Sequence, residues 1–595
     1  MRLERPMRGL VIGSLALLVL VLLSLAVAAL SGPVAVLILI GVLVVAYLGW
    51  RFASRVVRRG TVLEIDLDKG VVEQTPANPI DRALNSGSLV LRDVIDALER
   101  AAKDDRVVGL IARLGNGKLG IATAQELRDA VHRFRRSGKR AVAYSETFGE
   151  GNLAIVDYYL AASFDEIHLM RSGSVGIEGL IARTPFLRNL LDRIHVTPDL
   201  SHREEYKAAK YLLTESEYLE PHREATQAII DDHFEQIVLG VAEDRSMSPD
   251  QVRSLVDKAP LTGPEALEAG LVDTLSYRDE AYEAAKSDDG KSFLYTDRYL
   301  KKAGRPHRKG ERIALIHGTG SIHRGKSSFD PMTRSSSMGS DDVTAAFRKA
   351  IDDKKVKAIV FRVDSPGGSA VASDLIGREV TRARAAEKPV VVSMGQVAGS
   401  GGYWVSAPAD KIVAQPGTIT GSIGVVSGKL ARGETWRSIG VDFGQLQKGR
   451  NATTWDPLEP FTESERERNE AFLDWIYDDF LAHVAKGRSM DVENVRPIAK
   501  GRVWTGARAK ELGLVDELGG LHEAVDVARQ LAGIDPEDRI EVRPFPQPRT
   551  MPLPKREENS EPVEVALRSL LETFEVAARP ARGGHLLTMP LQWWQ

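Results

Sequence analysis

A chain of 595 residues with 43% apolar and 27% charged side chains has the make-up of a globular protein long enough for roughly two to four domains. Its formal net charge of −3 gives no sign of a nucleic-acid partner. Cysteine is absent, which excludes disulfides, thiol nucleophiles and cysteine metal sites. The twelve histidines form no H-E-x-x-H or similar ligand pair, so no metal site is expected.

The first 59 residues read as a membrane anchor. GLVIGSLALLVLVLLSLAVAAL (9–30) carries no charge, SGP follows, and VAVLILIGVLVVAYLGW (34–50) is again uncharged. A spanning helix needs about 20 apolar residues. The run therefore allows a helical hairpin turning at Gly32–Pro33, or one longer tilted transmembrane helix. Arg2, Arg5 and Arg8 precede it, and Arg51, Arg55, Arg58 and Arg59 follow it. Positive charge on both flanks favours the hairpin, with both flanks cytoplasmic. A single crossing would put the body on the opposite side. A cleavable signal peptide fits less well, because the apolar region is too long and a second one follows.

The body repeats itself. VVGLIARLGNG (107–117) matches VKAIVFRVDSPGG (356–368), with Arg113 facing Arg362. SGKRAVAYSE (137–146) matches AEKPVVVSMG (386–395), and TGPEALEAGLVD (262–273) matches TGARAKELGLVD (505–516). So long a period means tandem domains rather than a solenoid. The copies are placed at 60–285 and 310–540, with a charged linker at 286–309. In each, helical patterns such as 91–105 and 341–355 alternate with short, almost wholly apolar strands such as VGLIARL and AIVFRV. That alternation predicts an α/β fold of repeated β-α-β units around a parallel sheet covered on both faces. The Ser-rich stretch 324–342 reads as a mobile loop. Residues 541–595 form a Pro-rich tail with a helical pattern at 563–578. Its last residues, LTMPLQWWQ, read as a packing segment, with a membrane-interface contact through the tryptophans as the alternative.

The copies differ where chemistry is expected. The second has VAGSGGYWV (397–405), with Ser400 among three glycines; aligned on the shared A-x-x-D-x-I ending, Ser400 faces Ile155. Taken alone, the string is a turn. The second copy also has DSPGGS (364–369) where the first has GNGKLG (115–120). The serine and the glycine pair thus occur together and are lost together. Acyl transfer needs such a set: a nucleophile, a base, and backbone N–H groups that glycine leaves uncovered at strand ends.

DSPGGSAVASD, VAGSGGYWVSAPAD and GTITGSIGVV, in this order and spacing, resemble the signal peptide peptidase A family, peptidase family S49 of the ClpP/crotonase superfamily. The duplication resembles its long, two-domain form, over about residues 60–540. The resemblance implies two tandem ClpP/crotonase-like domains and a Ser/Lys dyad. Ser400 is then the nucleophile, the amides of Gly368 and Gly401 hold the oxyanion, and Ser422 orients the lysine. In short relatives the lysine comes from the serine's own repeat, where this chain has Ala452 and, out of register, Lys448. The Tyr206–Lys207 pair of the first copy matches the long form, which makes Lys207 the base ahead of Lys210 and Lys448. From its neighbours alone Lys207 reads as a solvated helix lysine beside Glu204 and Glu205. Bringing a lysine from ~10.4 to the ~7–8 of a useful base costs roughly 4 kcal/mol of burial, which adjacent carboxylates oppose.

The resemblance further implies hydrophobic peptide substrates, notably cleaved signal peptides, no cofactor, a bacterial inner-membrane location and a homotetramer. The chain departs from the family pattern at Asp364, where Asn is common before SPGG. Two alternatives stay open: an inactive membrane-anchored scaffold of the same fold, and a crotonase-like acyl-CoA enzyme.

Overall fold

The computed structural model describes residues 56–74, 88–117, 119–286, 290–330 and 335–546, with Gly41 and the backbone of two short strands, Leu586–Thr588 and Trp593–Trp594. The apolar runs of the proposed anchor, apart from Gly41, and the helical pattern at 563–578 lie outside the described residues. Among the described residues no helix is long and apolar enough to cross a membrane.

Two sheets form the cores of the two copies. The first is wholly parallel, in the order Thr274–Leu275, Glu166–Leu169, Arg140–Ser145, Val107–Arg113, Thr61–Asp66, Ser292–Tyr295. The second places Ile419–Gly421, Val390–Gly399, Val356–Ser365, Glu311–Thr319 and Ile540–Phe545 side by side in parallel. Antiparallel Val503–Thr505 ends it, and Lys411–Ala414 branches from Val390–Gly399. The central strands are buried on both faces, as their unbroken apolar runs require. The covering helices are one-sided: Leu91–Ala102 buries Leu91, Val94, Ile95, Leu98 and Ala101, the spacing of a single helical face. The α/β class read from the sequence is the class observed.

Two readings of the sequence need correction. Residues 286–309 are not all linker: Ser292–Tyr295 is the edge strand of the first sheet, and Thr296–Ala303 is a helix that buries Tyr299 and Leu300. In the second copy the same edge position belongs to Ile540–Phe545. Each copy thus extends one strand past the boundary drawn from composition, because a short edge strand among charged residues leaves little apolar pattern to read. The stretch 324–342 also carries pairing: Ser335–Gly339 runs parallel to Ser321–His323. Backbone ladders demand no apolar side chains, so a serine run hides a strand.

A third sheet joins the copies. Its order is Phe329–Asp330, Ser335–Gly339, Ser321–His323, Gly367–Ser369, Leu586–Thr588, Val426–Ala431, Thr197–His202. The last of these belongs to the first copy and lies antiparallel to Val426–Ala431, with His202 opposite Val426 and Thr197 opposite Ala431. A buried charge cluster adds to the join. The Arg362 guanidinium, only 1% exposed, meets Glu73 at 2.7 Å and Glu126 at 2.8 Å, both from the first copy. Burial alone would lower the Arg362 pKa, but the two carboxylates more than offset it and hold the cation. Glu126 also accepts the Leu521 N–H at 2.7 Å. Its counterpart Arg113 is part-exposed and pairs within its own copy, with Asp68 and Glu146.

Candidate active site

The strand Val390–Gly399 ends at Ser400, and the helix Gly401–Ser406 starts directly after it. The turn is tight enough to force Ser400 to φ 55°, a conformation uncommon for a residue with a Cβ. Two backbone bonds hold it there: Ser400 N–H donates to Gly421 O at 2.8 Å, and Ser400 O accepts from Trp404 N–H at 2.9 Å. Strain kept by surrounding bonds is typical of positions that aim a reacting group. The hydroxyl is fully buried.

Lys207 reaches this hydroxyl from the other copy. After Thr197–His202 has paired with Val426–Ala431, the chain turns at Glu204 (φ 66°) and sends the Lys207 side chain into the junction. Its Nζ lies 2.8 Å from Ser400 Oγ, 3.0 Å from Ser422 O and 3.1 Å from Ser422 Oγ. Lys207 has no exposed surface, and burial pulls its pKa from the usual lysine range to about 7. The neighbouring carboxylates do not counter this. Glu205 is held by Lys500 Nζ at 2.9 Å, and burial is the cause of the Lys207 shift.

Two glycines admit the lysine. A Cβ on Gly501, which sits at φ +75°, would lie 2.6 Å from Lys207 N and 2.7 Å from Lys207 Cβ. A Cβ on Gly424 would lie 3.2 Å from Lys207 Cδ. Neither position was among the residues singled out from the sequence. Gly424 is in the GTITGSIGVV motif, but Gly501 gives no local signal, since its partner is 294 positions away.

The glycine pair stands beside the serine. Gly367–Ser369 is a strand of the joining sheet, and a Cβ on Gly401 would come within 3.1 Å of Gly368 N and 3.2 Å of Gly367 Cα. Gly368 itself, at φ +155°, presses so close to Ile322 that any side chain there would meet Ile322 O at 2.0 Å. The N–H groups of Gly368 and Gly401 therefore belong to two segments in close contact at the serine. Asp364, where Asn is common in the family, is half-buried and accepts the Val397 N–H at 3.0 Å. Burial and the nearby Glu73 raise its carboxyl to about 6.

The weaker lysine candidates lie elsewhere. Lys448 is in an exposed stretch, and Lys210 is half-buried at the start of the helix Tyr211–Thr214. Among the described residues no group of three His, Asp or Glu side chains is placed to hold a metal ion.

The equivalent place in the first copy is filled. Asp157 stands two residues after Ile155, as Gly402 stands two after Ser400, and its carboxylate accepts the Gly117 N–H at 2.6 Å. Gly117 belongs to the GNGKLG loop that replaces DSPGGS. Burial raises this carboxyl to about 6, against the backbone donors that favour its charge. A side chain of the first copy thus occupies an amide of the loop that stands where the second copy has DSPGGS.

Comparison with known proteins also finds the duplication. The model of peptidase family S49 matches residues 133–291 and 382–535, once in each copy. Protease 4 of Haemophilus influenzae is 33% identical over 74% of this chain and 72% of its own length. Protease 4 of Salmonella typhi is 31% identical over 83% of this chain and 82% of its own. The chloroplastic serine protease SPPA of Arabidopsis thaliana is 30% identical over 83% and 72%. The chain therefore belongs to peptidase family S49, in its long form of two tandem domains.

Proposed function

We propose that the protein is a membrane-bound serine endopeptidase in which Ser400 is the nucleophile and Lys207 the general base. The observation that carries this reading is the 2.8 Å approach of a buried amine to a buried hydroxyl, with burial holding the amine near pKa 7. Neutral Lys207 takes the Ser400 proton as Oγ attacks a peptide carbonyl carbon. The negative oxygen that forms is met by the N–H groups of Gly368 and Gly401, each worth roughly 3 kcal/mol in such a role. The lysine ammonium passes its proton to the leaving amine. Neutral again, it takes a proton from the water that hydrolyses the acyl-serine. Ser422, through its hydroxyl and carbonyl, keeps the amine on the serine throughout.

The substrates are extended apolar peptides, including signal peptides left in the bilayer after secretion. The uncharged runs at 9–30 and 34–50 support this, since an anchor there would hold the site close to such chains in the bacterial inner membrane. The working assembly is a homotetramer. The decisive experiment is exposure to a fluorophosphonate probe followed by peptide mass spectrometry. The proposal expects the adduct on Ser400, lost in Ser400→Ala and strongly slowed in Lys207→Ala. A scaffold that only keeps the fold would show no adduct. A crotonase-like enzyme would bind acyl-CoA and be indifferent to Ser400→Ala.

A further inference from the structure

The segment that carries Lys207 must itself be held against the second copy, and one residue there grips both sides of the join. Arg502 follows Gly501 in KGRVWTG (500–506). Its carbonyl accepts the Ser422 N–H at 2.7 Å, and the Lys500 carbonyl accepts the Tyr206 N–H at 3.2 Å. Its guanidinium reaches into the first copy. Nη1 and Nη2 donate to the two oxygens of Glu224 at 2.7 and 2.6 Å. Glu224 lies in the opening turns of the helix Glu220–Asp244. The Arg502 Cζ is 4.9 Å from the ring centre of Tyr206, the residue before Lys207, and 4.4 Å from that of Trp504. The Tyr206 hydroxyl bonds to the same Glu224 carboxylate. Trp504 is fixed in turn: its Nε1 donates to Ile498 O at 2.9 Å, and its strand places it opposite Thr420. Two parallel bonds to one carboxylate and a flat face on aromatic rings suit a guanidinium and not an ammonium.

The copies differ here as they do at the serine. Aligned on the shared T-G, Gly501, Arg502 and Trp504 face Lys258, Ala259 and Leu261. The first copy keeps the T-G and the short helix that follows, Gly263–Glu268 against Gly506–Glu511, yet lacks all three residues. A role confined to the fold of one domain would leave them in both. They stand instead in the copy whose Gly501 touches Lys207.

We propose that Arg502 is a positioning residue for the dyad: it ties the Tyr206–Lys207 segment to Ser422, so that the amine stays on the Ser400 hydroxyl and away from water. Its kinetic consequences rest on the serine-peptidase reading. The other ionisable groups beside this segment are Glu204, Glu205, Lys500 and Tyr477. Glu205 and Lys500 pair with each other at 2.9 Å, and Tyr477 faces Glu204. Without the guanidinium, Tyr206 loses its flat partner and Glu224 its cation, and the segment is free to lift from Gly501. Water then reaches the amine and stabilises its charged form.

The test reads the lysine through catalysis and also without it. In Arg502→Met, kcat for a quenched apolar peptide should fall at least about tenfold with KM within about twofold, because the amine is misplaced and the peptide site is not. The rise of kcat/KM with pH should move up by about one pH unit. Arg502→Lys should behave as Arg502→Met does, since it keeps the charge and loses the fork and the flat face. The second arm needs no turnover. Lys207→Met should stabilise the chain against urea more at pH 6 than at pH 9, and in the Arg502→Met background this difference should shrink by about half. An unchanged pH midpoint in an active variant, an unchanged urea difference, or full rescue by Arg502→Lys overturns the proposal, however much activity Arg502→Met loses. Should Arg502→Met not fold, Glu224→Gln, at a partly exposed carboxylate, is expected to move both quantities in the same direction, and no movement there overturns the proposal as well. If the wild type hydrolyses nothing while the urea difference shrinks as expected, the peptidase reading fails and the placement of the amine by Arg502 stands.

Discussion

In the proposed mechanism Lys207 has one chemical requirement, to be uncharged next to Ser400, and its burial sets the pH at which this is met. With its pKa at about 7, kcat/KM should rise with pH through that value as the amine loses its proton. A profile that is flat between pH 5.5 and 8.5 would remove Lys207 as the base. Lys207→Ala should lose about 10²–10⁴-fold in kcat/KM, while Lys448→Ala and Lys210→Ala stay near wild type. The same burial acts on stability. Below pH 7 both folded and unfolded chains carry the proton, and the folded one bears the desolvated charge. Between pH 7 and the ordinary lysine range only the unfolded chain binds it, so stability rises with pH across that window. Lys207→Met should therefore raise the urea midpoint at pH 6, with the gain shrinking as the pH approaches 10. Of these residues, Ser400 was legible from the two copies alone, because the serine and the glycine pair vanish together from the first. Lys207 was not. Its sequence neighbours are carboxylates, and the groups that bury it, Gly424 and Gly501, lie more than two hundred positions away. Only the family resemblance pointed to it.

At the scale of elements, the site depends on segments that let backbone approach backbone. Gly501→Ala places a methyl 2.6 Å from Lys207 N, with a positive φ in addition. The lysine must then retreat from a hydroxyl it now meets at 2.8 Å. The expected outcome is a loss of at least about 100-fold in kcat/KM, since a 1 Å misplacement can cost this much, together with a lowered unfolding midpoint from about 1–3 kcal/mol of backbone strain. Wild-type activity in that variant would show that the close packing against Lys207 is unimportant. The charge cluster answers a different measurement. Arg362→Met leaves Glu73 and Glu126 buried without their cation and should cost about 3–5 kcal/mol in denaturant unfolding. The alternation of apolar strands and one-sided helices made the β-α-β units readable. The joining sheet was not readable: Gly367–Ser369, Ser335–Gly339 and Leu586–Thr588 are held by main-chain pairing, and polar or very short strands give no period to detect.

At the scale of the molecule, the duplication has become a division of labour. One copy supplies the hydroxyl and the amides, and the other supplies the amine, within a single chain. Mixing Ser400→Ala chains with Lys207→Ala chains, and allowing subunits to exchange, should restore no activity. Recovery to a sizeable fraction of wild type would mean that the dyad forms between subunits. The first copy's own equivalent place is filled by Asp157, whose carboxylate takes the Gly117 amide, so the proposed mechanism has a single centre in the duplicated fold. The 193-residue separation of lysine and serine also has a consequence in time. On a ribosome adding about 5–20 residues per second, the amine emerges some 10–40 s before the hydroxyl. It waits in water as an ordinary cation until the later half closes over it. On the proposed mechanism a half-made chain is thus inert, and it gains the ability to cut peptides only once its synthesis is nearly complete.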